Sequence, residues 1–257
     1  MHGSREAPSG AASQALADDI AARGYGVVPA LLGERDLATA RAAVERVVTQ
    51  LAPPSFYSAS PLPIEHPEVP GPIEVTSVGL TMQRVHAAAP ELAPLVLQPR
   101  SLEPIRTALG DAMQLEVLGA VVSDEVRPFF TWHTHIDREH EGARIRAGKW
   151  PDKPRVERVL MLVYLDHLDD DSGQLLVYPR AAGEPTAPPY RIEAESWPGE
   201  VALSLRAGDA VILEQCTWHA ARPRQTAGRR SFIACYFASN DASHVEPTEP
   251  SLRSLMQ

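Results

Sequence analysis

Basic charge is what this 257-residue chain is short of: 24 lysines and arginines stand against 33 acidic residues, a formal net charge of −9. An excess of that sign repels phosphate backbones and anionic membrane surfaces. It weighs against nucleic-acid and membrane partners and leaves a small-molecule substrate as the expected one. Cysteine is scarce too. Cys216 and Cys235 are the only two, and both lie in apolar runs, a setting of buried core thiols rather than of a disulfide; the expected location is a reducing cytoplasm. Long hydrophobic runs are also missing, since nothing approaches the roughly 18 residues of a membrane-spanning helix. The opening stretch, residues 1–13, lacks the apolar centre of a signal peptide and is expected to be a disordered lead-in. Residues 14–257 hold neither repeat nor linker and are expected to form one domain with a sizeable core.

Proline is plentiful. The 24 prolines are about twice the usual share, which predicts many loops and few long helices. Apolar positions recur at helical spacing over 13–23, closed by Gly24, and over 34–50 through Leu37, Ala40, Val44 and Val48. A third helix is predicted from Ser101, as N-cap, to Leu109. Between them, residues 52–74 carry Pro-Leu-Pro and Pro-Gly-Pro and are expected to be a loop, either over a pocket or an inert excursion.

Beyond Leu109 the pattern turns to strands: 115–122, 129–136, 156–165, 174–178, 201–205, 210–216 and 231–238, separated by turn-forming clusters such as Asp171-Ser172-Gly173 and Ala207-Gly208-Asp209. Helices followed by a run of strands predict an α+β, mainly β protein. The expected core is a double-stranded β-helix, the cupin-like jelly roll that can hold a metal inside, flanked by the N-terminal helices.

Three residues suit such a metal. Alternation along a strand puts His135 and Asp137 on one face, and His219 follows a second apolar strand. Two imidazoles and a carboxylate form the facial triad of non-haem Fe(II) enzymes, and no thiolate lies nearby to suggest structural zinc. Arg230, after a turn, opens the last strand, and its planar guanidinium matches the distal carboxylate of a dicarboxylate such as 2-oxoglutarate. Arg229 would face the other way. His133 and His135 also share a face, so a His133/His135/His219 cupin site, with Asp137 behind it, stays open. Asp169-Asp170-Asp171 is expected to be a solvated acidic turn. Trp132 and Trp218 are expected in the core, and Arg144, Arg146, Lys149 and Trp150 are either substrate contacts or part of a solvated loop.

Across roughly residues 16–240 the chain resembles the phytanoyl-CoA dioxygenase family of Fe(II)/2-oxoglutarate oxygenases. The resemblance lies in Gly24-Tyr25-Gly26-Val27-Val28, in Trp132-His133-Thr134-His135-Ile136-Asp137 against a Trp-His-x-Asp motif with an offset, in Leu165-Asp166 and Gly173-Gln174-Leu175, and in Gly208-Asp209, His219 and Arg230. The chain departs at Pro179-Arg180-Ala181-Ala182, where the family has Pro-Gly-Ser-His, and at Ala221, where a hydroxyl is common. The resemblance implies Fe(II) on His135, Asp137 and His219, 2-oxoglutarate on Arg230, and O₂ as oxidant. It further implies hydroxylation, cyclisation or epimerisation of a small molecule, a tailoring step in specialised metabolism. Two alternatives remain: a cupin-type metal enzyme that uses no 2-oxoglutarate, and an inactive jelly-roll binding protein.

Overall fold

Residues 232–238 form a continuous apolar run, and the strand built on it organises the molecule. In the computed structural model, which describes residues 10–138, 141–242 and 250–256, strand β12 (Arg229–Ala238) pairs antiparallel with β5 (Gln114–Asp124) on one side and β7 (Arg158–Tyr164) on the other. Ile233, Cys235 and Phe237 face one way, into an apolar layer beneath the helices. Phe232 and Ala234 face the other, between two sheets. A near-continuous apolar run of this kind suits a strand buried on both faces.

Naming the remaining strands in chain order gives β1 (Tyr25–Val28), β2 (Leu62–Pro63), β3 (Ile73–Val75), β4 (Leu80–Met82), β6 (Phe130–His133), β8 (Leu175–Val177), β9 (Val201–Leu203), β10 (Ala210–Glu214) and β11 (His219–Ala221). The larger sheet runs β1-β10-β7-β12-β5-β4-β3-β2, and the smaller β6-β11-β8-β9. All pairings between these strands are antiparallel. Two sheets face to face with helices on one outer side are the predicted jelly-roll arrangement.

Helices α1 (Gly10–Arg23), α2 (Glu34–Leu51), α4 (Leu92–Val96) and α5 (Pro99–Leu109) bury Ile20, Val44, Val48, Leu92, Ile105 and their neighbours against the larger sheet. Short helices α3 (Val85–Ala88), α6 (Glu141–Ala147) and α7 (Pro250–Ser254) complete the set. An aromatic layer of Trp132, Trp197 and Trp218 covers the outer face of the smaller sheet. Among the described residues, no helix is long and apolar enough to cross a membrane.

Four expectations need correction. The lead-in predicted over 1–13 lies outside the described residues as far as residue 9, but α1 already begins at Gly10, because Ser13, Ala17 and Ile20 form a buried face. The proline-rich 52–74 segment holds β2 and β3, which extend the larger sheet at its edge, where proline is tolerated. Ser101 is not the N-cap of α5. Pro99 sits in the first turn and Gln98 is the cap residue, while the Ser101 hydroxyl donates to the Val96 carbonyl at 2.6 Å. The strand predicted over 129–136 stops at His133, and a short 3₁₀ turn at 136–138 follows with Asp137 at φ 51°, ψ 24°.

Candidate metal centre

β6 and β11 lie side by side, and their register puts His133 directly opposite His219. Side chains so paired have Cβ atoms about 5 Å apart, and here the ring centroids are 4.0 Å apart. Just past the end of β6, the His135 amide donates to the Gln215 carbonyl at 2.9 Å. That bond carries the His135 ring over the same spot, 5.1 Å from His219 and 5.2 Å from His133 between centroids. The three offer ligand nitrogens all within 4.8 Å of one another.

The chemistry of this donor set fits a transition metal. Nδ1 of His133 lies 2.9 Å from the Thr131 carbonyl, and Nδ1 of His219 lies 2.9 Å from that of Thr217. A carbonyl only accepts, so each Nδ1 must carry the proton, which leaves the Nε2 lone pair for a metal. Burial and the neighbouring His219 push His135 down to about 3. Burial pushes His219 down to about 4, against the opposing effect of the Thr217 bond. Both are therefore neutral at pH 7, the form of imidazole that can ligate a metal.

Asp137 is elsewhere. Its carboxylate accepts from Lys153 Nζ at 2.8 Å and from Arg158 at 3.3 Å. Lys153 also pairs with Glu157 at 2.8 Å, and Arg158 with Glu116 at 3.3 Å. The expectation that His135 and Asp137 share a strand face fails because β6 has ended. The left-handed conformation at Asp137, which aspartate tolerates better than most residues, sends the side chain into this ion-pair network instead. Within it, Arg144 of α6 donates to the Ile136 carbonyl and holds the turn.

Arg230 is where alternation placed it, on the inner face of β12 and only 3% exposed. Arg229 on the outer face pairs with Glu45 at 2.8 Å. The Arg230 guanidinium donates to the Gly173 carbonyl at 2.7 Å, its Nε is buried without a partner, and among the described residues no carboxylate pairs with it. Burial lowers its pKa. A second buried guanidinium, Arg127, is lowered to about 9 by burial and then by Arg230. Arg127 is held by the Pro128, Ala221 and Arg222 carbonyls, whereas among the described residues Arg230 has the Gly173 carbonyl alone and faces the cavity, a setting that favours an anion there.

One cavity joins these features. Its volume is about 160 Å³, with His133, His135 and His219 at one end and Arg230 and Tyr164 at the other. Leu160, Leu162, Leu175 and Phe232 form its dry walls. Burial pushes the Tyr164 hydroxyl up to about 12, so it is a neutral donor there. A second cavity of about 450 Å³ adjoins the first, sharing His135, Thr81, Val121 and Tyr236.

This architecture matches one family over most of the chain: the family model for phytanoyl-CoA dioxygenase (PhyH) covers residues 21–232. The chain belongs to the phytanoyl-CoA dioxygenase family. No curated protein sequence matches it. Among solved structures, HygX from Streptomyces hygroscopicus with nickel and 2-oxoglutarate bound is 16% identical, with a TM-score of 0.63 over 96% of this chain and 94% of that one. The non-haem α-ketoglutarate-dependent epimerase SnoN from nogalamycin biosynthesis is 18% identical, at 0.62 over 93% and 87%. The carbocyclase SnoK from the same biosynthesis is 17% identical, at 0.63 over 95% and 96%. At these identities the likeness is one of fold.

The other residues singled out in sequence divide as follows. Trp132 stacks on Trp197 at 4.2 Å, and Trp218 donates to the Thr186 carbonyl at 3.1 Å, so both stiffen the ligand strands from behind. Arg144, Arg146, Lys149 and Trp150 line neither cavity. Asp169 folds onto its own turn, accepting from the Ser172 amide at 2.8 Å. Tyr164 and Arg127 carry no signal that the sequence reading used; parity along β7 points to the first, and nothing local points to the second.

Proposed function

We propose that this chain is an Fe(II)- and 2-oxoglutarate-dependent oxygenase, formed as one domain, that oxidises a small molecule in a biosynthetic tailoring step in the cytoplasm. Nucleic acid and membranes are not its partners. One observation carries this above the others: a single cavity has three imidazoles at one end and a buried guanidinium with no carboxylate partner among the described residues at the other. That is the polarity of a 2-oxo dicarboxylate, whose keto-acid end chelates a metal and whose far carboxylate needs a fork of N–H donors.

The family match and the metal and 2-oxoglutarate bound in HygX support the same cofactors. In this proposal His133, His135 and His219 hold the iron. Trp132-His133-Thr134-His135 then reads against the Trp-His-x-Asp motif with no offset, and His135 stands in place of the carboxylate. When bound, iron and 2-oxoglutarate supply O₂-driven oxidation of an unactivated C–H bond, coupled to decarboxylation. Arg230 and Tyr164 orient the cosubstrate, and the aliphatic walls keep water out. His135, at the junction of the two cavities, aims the reacting centre at whatever occupies the second.

Anaerobic titration of Fe(II)-loaded protein with 2-oxoglutarate tests this. The weak visible charge-transfer band of the chelate is expected in wild type and in Asp137→Asn. It is expected to be absent in His133→Ala and to need higher 2-oxoglutarate in Arg230→Ala. The all-histidine ligand set favours a second reading, a cupin-type metal enzyme without 2-oxoglutarate. Bound iron with no band would select it.

A further inference from the structure

The second cavity has a sided lining. Val78, Val117, Val121 and Ala234 make an apolar floor, and Glu74, Thr76, Thr81 and Gln83 make a polar wall. Two of the four are already satisfied: the Thr81 hydroxyl donates to the Glu74 carbonyl at 3.1 Å, and that of Thr76 to the Gly79 carbonyl at 3.2 Å. Glu74 and Gln83 differ. Among the described residues, neither side chain has a hydrogen-bond or ion-pair partner, and Glu74 is the only carboxylate lining either cavity.

Register explains how Glu74 gets there. Across the inner face of the larger sheet, Glu74 pairs with Thr81, Thr81 with Val121, Val121 with Phe232 and Phe232 with Tyr164. One row of side chains thus runs from the carboxylate wall of the second cavity to the Arg230 end of the first. Ile73 and Val75, flanking Glu74, point oppositely into the core beneath the helices. Three strand spacings, about 14 Å, separate β3 from β12, and Tyr236 stands four residues, about 13 Å, along β12 from the Phe232 of that row. On β12, Tyr236 carries the His135 ring at 5.3 Å between centroids.

We propose that Glu74 is a substrate-recognition residue, and that the substrate carries a protonated amine at the end remote from the carbon presented to the metal, on a partly apolar body. A half-buried carboxylate with no protein partner gains most from a cation that brings its own charge and donors. Gln83, beside it, offers an amide to the same group or to a neighbouring hydroxyl. The assignment of the reacting end rests on the oxygenase proposal above; recognition of the amine does not.

Calorimetric titration of Ni(II)-loaded protein with 4-phenylbutylamine and with the isosteric 4-phenylbutan-1-ol separates the two. The amine is expected to bind wild type at least about tenfold more tightly than the alcohol, an advantage lost in Glu74→Gln. In Gln83→Glu, which adds a second carboxylate to the wall, the advantage is expected to grow. Equal binding of amine and alcohol, an undiminished preference in Glu74→Gln, or no amine binding at millimolar concentration each overturns the proposal. Ni(II) and 2-oxoglutarate titrations on the same samples decide the oxygenase question independently, and Glu74→Gln is expected to leave both unchanged.

Discussion

His133 and His219 occupy directly opposed positions on two hydrogen-bonded strands, with ring centroids 4.0 Å apart. Each is anchored through Nδ1 to the carbonyl two residues before it in the chain. The pair is thus pre-set by backbone pairing, and His135 closes the third side.

Removing any one imidazole leaves two ligands. His133→Ala, His135→Ala and His219→Ala are each expected to weaken Ni(II) or Fe(II) affinity by about 100-fold or more, measured by calorimetry or competition with a chelator. Asp137→Asn is expected to keep affinity within a few-fold. Loss of metal in the Asp137 variant, with His133→Ala unaffected, would restore the His135/Asp137/His219 triad.

Asp137 is tied into an ion-pair network. Its carboxylate partners Lys153 and Arg158, whose side chains are 7% and 4% exposed. Neutralising it strips both cations of a shared partner, at a cost of about 3 kcal/mol in a mostly buried network. Chemical denaturation of Asp137→Asn should show that loss, and an unchanged midpoint would contradict it.

Arg230→Ala is expected to raise the KM for 2-oxoglutarate about 100-fold, with a much smaller change in kcat, since the far carboxylate does not react. Arg230→Lys is expected to recover only part, because an ammonium cannot form the two-pronged bond. An effect confined to kcat would place Arg230 outside cosubstrate binding.

Gly173 supports that guanidinium from behind. Its φ is +85°, and a Cβ there would lie 2.5 Å from the Arg222 carbonyl oxygen. Its own carbonyl accepts from Arg230 at 2.7 Å. Gly173→Ala is expected to destabilise the fold by about 2 kcal/mol and to weaken 2-oxoglutarate binding with it. Thermal unfolding and cosubstrate titration check the two effects separately.

The metal-free protein should weaken in mild acid. His135 and His219 stay neutral in the folded chain down to about 3 and 4, whereas the unfolded chain protonates them near 6.5. Their contribution is therefore complete above pH 6.5 and is lost as pH falls from there towards 4. At pH 5.5 the loss is about 1.4 kcal/mol for each histidine. Unfolding midpoints between pH 7.5 and 5.5 should fall less steeply in His219→Gln than in wild type; parallel curves would refute the assignment.

Much of the fold is legible in the residues alone. Patterns of period two and 3.6 locate α2, β5, β7, β10 and β12, since both are local consequences of which face each residue buries. Parity along β12 correctly separates Arg230 from Arg229. Parity fails at Asp137 because the strand ends four residues earlier than its last candidate ligand, and a single left-handed residue reverses a side chain without leaving an apolar pattern to read. The proline-rich segment hides β2 and β3 for a related reason: edge strands need only a few paired residues, and a two- or three-residue strand has no period.

The sequence by itself determined the class of the molecule: a helix-flanked jelly roll of the phytanoyl-CoA dioxygenase family. Tertiary structure decided the rest. Which strand lies against which, and in what register, is set by long-range packing that no local pattern encodes. That register brought His133 opposite His219, tied Asp137 to Lys153 and Arg158, and carried Glu74 across four strands to face the same interior as the histidines.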